Sequence, residues 1–243
     1  MRILGLFAAC LLMTGMATPA AAQKRPVAKA KTVAKPAPTR WVNVVVRTPE
    51  GGVRQGNPNA KVKLVEYGAR TCPSCARFAE EAMPPLRAKY IASGKVSYEF
   101  RDFLIHGAPD MIAAVVNQCM ANERFFPVLD AMFAAQTAAS GRLKALEQDK
   151  ARRDAILSLP ENQIAGAYAE ALGWLEFSKQ QGLPDAKARV CLADEKLLIA
   201  INKTSQDGEK LGVHGTPSFL INDQLVEPHD WGALEPLLIA AIG

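Results

Sequence analysis

Short hydrophobic or alternating runs lie toward both ends of this chain, and a long stretch of helical periodicity lies between them. The short runs predict β-strands at residues 41–46, 61–67, 95–100, 217–221 and 225–226. Between residues 109 and 210 the chain is alanine-rich, and its apolar side chains recur at helical spacing, which predicts a block of helices. Further helices are expected at residues 75–91 and 231–242. Pro84 and Pro85 should divide the first of them, because proline removes a backbone donor.

The order of these elements predicts an α/β domain that is interrupted by a helical insertion. Two strands, a helix and a third strand precede the block of helices, and two strands and a helix follow it. Neither group can complete a sheet alone, so we expect both to contribute to one sheet. Residues 41–105 and 211–243 would then form the α/β domain, and residues 106–210 the insertion.

The first 40 residues differ in composition from the rest of the chain. Residues 1–22 have a basic start, an apolar stretch and the small residues Ala20-Ala21-Ala22, so we interpret them as a cleavable signal peptide. Residues 23–40 form an Ala/Pro/Lys segment without acids, and we expect an extended linker there. It would serve as a spacer, or it would attach the protein to an anionic surface.

The net charge of +5 is concentrated in this N-terminal segment. Seven of the 29 basic residues precede residue 41, which leaves 22 against 24 acidic residues in the remainder. The basic character therefore belongs to a tail and gives no indication of a nucleic-acid partner.

Cys72-Pro73-Ser74-Cys75 lies between a predicted strand and a predicted helix. Two cysteines three positions apart in the first turn of a helix lie on one face and are close enough to bridge. Cys72 also lies at the positive end of the helix dipole, which favours the thiolate that attacks disulfides. We therefore interpret the pair as redox-active. The alternatives are half of a zinc site and a permanent disulfide at the helix start.

Two further cysteines, Cys119 and Cys191, lie in the predicted insertion. Because Cys10 would be removed with the signal peptide, four cysteines remain in the mature chain, and an even number in an exported protein fits an oxidising compartment. Spacing alone does not choose among the three possible pairings of these four. The geometry of Cys72 and Cys75 favours that pair and leaves Cys119 with Cys191. A structural disulfide is the preferred interpretation. A redox-tuning pair and two buried free thiols are the alternatives.

Leu64-Val65-Glu66-Tyr67 precedes the Cys72-Pro73-Ser74-Cys75 motif, and Val213-His214-Gly215-Thr216-Pro217-Ser218-Phe219 lies near the end of the chain. Together with the helical block between them, these motifs resemble the DsbA-like thiol–disulfide oxidoreductases of the thioredoxin superfamily. The resemblance covers residues 41–243. It implies a thioredoxin-like fold, with a mixed central sheet flanked by helices and an inserted α-helical domain.

The resemblance also implies roles for individual residues. Cys72 would be the nucleophile, and Cys75 would be the resolving thiol that closes the internal disulfide. Thr216 and Pro217 would form the cis-proline loop, in which Thr216 offers its backbone groups to an extended substrate. The alternative for Pro217 is an ordinary X-Pro turn.

Four residues are candidates for tuning the dithiol. Glu66 matches the buried acid of DsbA-like proteins and could relay protons to the resolving thiol, or it could be a strand-edge glutamate that faces water. Pro73 suits the first helical turn, where a missing N–H costs nothing. Ser74 stands where some DsbA-like oxidases carry histidine, so one source of thiolate stabilisation is absent. His214 precedes the cis-proline loop and could stabilise a thiolate.

The other two histidines, His106 and His229, are interpreted as surface or capping residues. No metal site and no cofactor is expected. Zinc would want four ligands, and the sequence contains no second C-x-x-C and no close histidine pair.

We expect a periplasmic protein-disulfide oxidoreductase that forms disulfides in exported, cysteine-containing proteins and is reoxidised by a membrane partner related to DsbB. Residues 23–58 are too short and polar to form a dimerisation domain, which favours a monomer and an oxidase. A disulfide isomerase or a reductase on the same fold is the near alternative. A copper-binding or chaperone module that uses the C-x-x-C thiolates, and a peptide-binding protein without turnover, are alternatives of another class.

Overall fold

A mixed sheet of six strands forms the centre of the molecule. The computed structural model describes residues 40–243, so the predicted signal peptide and all of the predicted linker except Arg40 lie outside the described residues. The strands are β1 (Val45–Arg47), β2 (Val53–Gly56), β3 (Val62–Gly68), β4 (Val96–Asp102), β5 (Ser218–Ile221) and β6 (Gln224–Val226). Their order in the sheet is β1-β2-β4-β3-β5-β6. The central pair, β3 and β4, is parallel, and the other pairs are antiparallel.

The start of the sheet differs from the prediction. The segment predicted as one strand begins with a 3-10 turn at Trp41–Asn43, and only Val45–Arg47 pair with a neighbour. Between the predicted strands at residues 41–46 and 61–67 the structure has a further strand, β2, which pairs with β4 and was not predicted. The sequence Val-Arg-Gln-Gly is too short and too polar to show an alternating pattern of its own. Its pairing with β4 makes it a strand.

Helix α1 (Pro73–Pro85) begins directly after Cys72. It ends at the two prolines, and Leu86–Ile91 continue from them as a π-helix. The predicted division at Pro84 and Pro85 is therefore confirmed, because these residues have no N–H to continue the helical ladder.

Eight helices fill the segment between β4 and β5, and one closes the chain. They are α2 (Ala108–Gln118), α3 (Phe125–Ala134), α4 (Gln136–Gln148), α5 (Lys150–Leu157), α6 (Glu161–Ala171), α7 (Trp174–Gln180), α8 (Asp185–Leu192), α9 (Glu195–Lys210) and α10 (Trp231–Ile242). This architecture is the α/β fold with an inserted block of helices that the sequence predicted. From residue 40 onward, no helix is both long enough and apolar enough to cross a membrane.

The main hydrophobic core lies between one face of the sheet and helices α1, α3 and α10. Helix α3 lies inside the predicted insertion, yet its Phe125 and Phe126 pack against Phe100 and Tyr98 of β4, with ring centroids 6.4 and 5.6 Å apart. A second core holds the remaining insertion helices together. The insertion is therefore continuous with the sheet domain through α3, and this contact brings insertion residues close to the start of α1.

Candidate active site

Cys72 occupies the N-cap position of α1 and carries a free thiol. The sulfur is 3.2 Å from the carbonyl oxygen of Thr216, and the residue is 6% exposed. A hydrogen bond with the thiol of Cys75 lowers the pKa of Cys72 to about 5, helped by Thr216 and by the backbone N–H groups of Cys75 and Ser74, while burial opposes the shift. At neutral pH this sulfur is therefore a thiolate.

Cys75 lies one turn further along α1 and is fully buried, with a free thiol. Burial raises the pKa of Cys75 well above its ordinary value, and the neighbouring Cys72 and the charge of Glu66 raise it further. The two sulfurs thus have opposite protonation states at neutral pH. Such a pair combines a nucleophilic thiolate with a more deeply buried thiol that keeps its proton.

The peptide bond between Thr216 and Pro217 is cis, and this loop faces the start of α1. When Cys72 is protonated, its thiol donates a hydrogen bond to the carbonyl of Thr216. The hydroxyl of Thr216 is buried and has no hydrogen-bond partner among the described residues. It can therefore donate to the thiolate, and this interaction contributes to the low pKa of Cys72. The Cys72-Pro73-Ser74-Cys75 motif and the cis-proline loop are far apart in the sequence, but they are in contact at the sulfur of Cys72.

Glu66 lies in the central strand β3 and is 1% exposed. One carboxyl oxygen, Oε2, accepts a hydrogen bond from the hydroxyl of Tyr98 at 2.6 Å, and Oε1 has no partner within the described chain. Burial raises the pKa of Glu66 to about 8, although the bond from Tyr98 lowers it, and the charge of Cys72 adds to the rise. The alternative of a strand-edge glutamate facing water was wrong. The carboxyl group is protonated at neutral pH.

A groove of about 450 Å³ lies beside the cis-proline loop. It is lined by Ser74, Arg77, Phe78, Glu81, Gly215, Thr216, Pro217, His229 and Asp230. His229 Nδ1 is 2.7 Å from the carbonyl oxygen of Pro217, so Nδ1 must carry the hydrogen and donate it. His229 is exposed, in line with the sequence interpretation, but its place at the groove was not predicted.

Of the remaining predicted tuning residues, Pro73 and Ser74 lie beside Cys72, whereas His214 does not act on its thiol. Pro73 is the first residue of α1, and Ser74 offers its backbone N–H to the sulfur. His214 is exposed, and none of the interactions that lower the pKa of Cys72 comes from its ring. His106 lies close to the site through Thr71, since its Nδ1 is 2.6 Å from the Thr71 hydroxyl.

Sequence reasoning missed two buried residues that contact the site, Tyr98 and Gln136. Tyr98 was detectable, because β3 and β4 are parallel and an alternating strand places residues 98 and 100 on the face of residue 66. Gln136 donates hydrogen bonds to the carbonyls of Arg70 and Cys72 at 2.8 and 2.9 Å. No local pattern marks it, since a single glutamine in a helical stretch is normally exposed.

Cys119 and Cys191 form a disulfide with a Cα–Cα distance of 6.2 Å. It joins the end of α2 to α8, within the insertion. Among residues 40–243, no three His, Cys, Asp or Glu side chains converge in a way that could hold a metal ion. A copper(I) ion held by two thiolates would not need such a cluster.

The fold and the dithiol together define a thiol–disulfide oxidoreductase of the DsbA-like type. The family model described as Thioredoxin matches residues 48–239. Because this match covers most of the chain, the protein belongs to the thioredoxin family. The resemblance inferred from the sequence motifs is confirmed.

Solved structures give the same result. The chain is similar to a protein-disulfide isomerase from Novosphingobium aromaticivorans, with a TM-score of 0.72 and 29% identity over 79% of this chain and 98% of the other. It is also similar to alpha-DsbA1 of Wolbachia pipientis, with a TM-score of 0.58 and 21% identity over 78% of this chain and 90% of the other. The second likeness shows the fold alone.

Sequence relatives bear related names. Disulfide bond formation protein D of Bacillus subtilis is 22% identical over 175 residues, which are 71% of this chain and 68% of that protein. Proteins of Rickettsia bellii and Rickettsia conorii, named provisionally as protein-disulfide oxidoreductases, are 26% and 27% identical over 82% and 85% of this chain. Both are longer than this chain, which covers 68% and 62% of their lengths.

Proposed function

We propose that this protein is a periplasmic oxidase that forms disulfides in exported proteins through Cys72 and Cys75. The observation that carries the proposal is the opposite shift of the two thiol pKa values, lowered to about 5 for Cys72 and raised for Cys75. A stable thiolate at Cys72 stabilises the reduced dithiol. A dithiol whose reduced form is stabilised has a disulfide that is readily given away.

The reaction begins with the Cys72–Cys75 disulfide. A substrate thiolate attacks the sulfur of Cys72, the bond between the two enzyme sulfurs breaks, and Cys75 leaves with the electron pair. The protonated carboxyl of Glu66 can supply the proton that Cys75 takes up, because burial gives this thiol a high pKa. The product is a mixed disulfide between Cys72 and the substrate.

A second substrate thiolate then attacks the substrate sulfur of the mixed disulfide. Cys72 leaves as a thiolate, and its low pKa makes it a good leaving group. The substrate has lost two electrons and gained a disulfide, and the enzyme dithiol has taken up those electrons. The backbone of Thr216 and the adjoining groove would align an extended substrate segment during both steps.

Partners and location follow from the same proposal. The substrates would be exported proteins with cysteine pairs, and a membrane protein related to DsbB would reoxidise the dithiol. The signal-like residues 1–22 support export to the periplasm. We propose that the protein acts as a monomer and needs no cofactor or metal, since the two thiols carry the electrons.

The test is the equilibrium of the protein with graded glutathione redox buffers, in which differential alkylation follows Cys72 and Cys75. We expect a potential more oxidising than that of the glutathione pool. A Cys72→Ser variant, which cannot form the internal disulfide, is the control for the assignment of the signal.

A disulfide isomerase is the second candidate, because the Novosphingobium relative with 29% identity bears that name. An isomerase needs a dithiol that stays largely reduced in its compartment. A reductase needs a dithiol–disulfide pair with a lower reduction potential. Rearrangement of a scrambled-disulfide substrate by the reduced protein would favour the isomerase. A thioredoxin-like potential would contradict the oxidase proposal in favour of a reductase.

A further inference from the structure

A side chain from the helical insertion holds the polypeptide just before α1. Gln136, the first residue of α4, is buried and donates one amide hydrogen to the carbonyl of Arg70 at 2.8 Å and the other to the carbonyl of Cys72 at 2.9 Å. The Cys72 carbonyl also accepts the first backbone hydrogen bond of α1, from Ala76 at 3.2 Å. Gln136 therefore fixes the peptide group next to the reactive sulfur.

The side chain of Arg70 is also held by several contacts. These contacts restrict movement of the Arg70 backbone carbonyl, to which Gln136 donates. Arg70 is 1% exposed and forms a buried ion pair with Asp102 of β4. Its Nε and one terminal nitrogen donate to Asn117 Oδ1 at 3.2 and 2.9 Å. The guanidinium lies over the ring of Phe100, 5.1 Å from its centroid. A planar group held by so many partners has little freedom to reorient.

Asp102 also has a hydrogen-bond partner in the insertion. Its second oxygen accepts a hydrogen bond from Gln118 Nε2 at 2.7 Å. Arg47 of β1 donates to the side chain of Gln118 and, at 2.6 Å, to its backbone carbonyl. Loss of any partner would leave a buried polar group unpaired, which is costly. These contacts therefore favour a single arrangement of the segment before α1.

We propose that Gln136 is a positioning residue for Cys72, through which the insertion sets the oxidising strength of the dithiol. By holding the Cys72 carbonyl, it keeps the sulfur aimed at the N–H groups of Ser74 and Cys75. Its amide also places partly positive hydrogens near the same residue. Both effects favour the thiolate. The inference rests on the proposed function, because it concerns how strongly this dithiol oxidises.

The test compares Gln136→Met with Gln148→Met in the otherwise unchanged protein. Methionine is close to glutamine in length and shape but donates no hydrogen bond, and Gln148 is exposed at the other end of α4. The loss of these bonds should raise the pKa of Cys72 by ~0.5–1 unit. The equilibrium constant with glutathione should shift about three- to tenfold toward the disulfide form, because each pKa unit corresponds to a factor of ten. Gln148→Met should match the wild type in both quantities.

Gln136→Glu serves as a second variant that keeps the size of the side chain. A glutamic acid buried between two carbonyls keeps its proton at neutral pH and donates one hydrogen bond in place of two, so we expect a smaller rise in the pKa of Cys72 than with methionine. Circular dichroism shows which variants are folded. The pKa is measured from the pH dependence of thiolate absorbance and of the alkylation rate.

A folded Gln136→Met variant with the wild-type pKa and the wild-type glutathione equilibrium would overturn this inference and leave the proposed function intact. A wild-type Cys72–Cys75 disulfide that does not oxidise glutathione would contradict the proposed function instead. The pKa of Cys72 in the variants would still report on Gln136 in that case.

Discussion

Glu66 and Tyr98 form a buried acid–phenol pair behind the dithiol. The acid has a neutral hydroxyl as its partner and no cation among the groups that shift its pKa. Burial therefore determines its protonation, and the carboxyl keeps its proton at neutral pH. The bond from Tyr98 limits the rise in pKa, since a hydrogen bond donated to a carboxylate favours the charged form.

Tyr98→Phe should raise the pKa of Glu66 above its value of about 8. One lost hydrogen bond to a charged group corresponds to a rise of about 1 unit. The pH dependence of the step in which Cys75 leaves should shift upward by the same amount in stopped-flow measurements. Tyr90→Phe is the matched control, because Tyr90 also donates to a glutamate, Glu235, at 2.7 Å but lies against α10. If the pH dependence of this step is unchanged in Tyr98→Phe, Glu66 does not supply the proton to Cys75.

At the level of elements, the disulfide between α2 and α8 is distinct from the dithiol in position and in partners. Cys119 and Cys191 are 72 residues apart in sequence. A cross-link over such a span stabilises the folded state by restricting the unfolded chain. Neither sulfur is among the groups that shift the pKa of Cys72 or Cys75.

Replacement of both Cys119 and Cys191 by alanine should lower the free energy of unfolding by about 4 kcal/mol, from the entropy of a loop of this length. Urea unfolding of the oxidised protein measures the change. The pKa of Cys72 should stay at its wild-type value. A marked change in that pKa would instead support the redox-tuning alternative.

The elements also show how far the sequence could predict the fold. The strands beside the two motifs and the closing helix were predictable, because hydrophobic periodicity and the family motifs agree there. Strand β2 was not, since its four residues become a strand only by pairing with β4. The two thiols and the cis-proline loop could be placed from the motifs. Gln136 could not, because tertiary packing alone brings α4 to the start of α1.

For the whole molecule, the low pKa of Cys72 links redox state to stability. The pKa of this thiol falls from 9.0 to about 5 on folding of the reduced protein. The folded state is then deprotonated where the unfolded state is protonated. Its contribution to stability is therefore complete above the unfolded pKa and is lost as the pH falls toward the folded pKa. The oxidised protein has no thiol at this position and lacks the contribution.

The reduced protein should therefore gain stability relative to the oxidised protein as the pH rises from 5 toward 9, the two pKa values of Cys72. The expected slope of the difference is about 1.4 kcal/mol per pH unit over this range. Glu66 acts in the opposite direction in both forms, because its pKa is raised, and it largely cancels from the difference. Urea midpoints of the two forms across the range provide the measurement. A difference that is independent of pH would contradict a thiolate at Cys72.

The bond between Cys119 and Cys191 also closes a covalent ring that contains helices α3 to α7. The exposed connection Ser158-Leu159-Pro160 lies on this ring. A protease that cuts there opens the ring without releasing a fragment, since the two pieces stay joined through sulfur. A nicked molecule would thus migrate as one species until a reductant is added, and its sheet and dithiol would remain attached to both halves of the insertion.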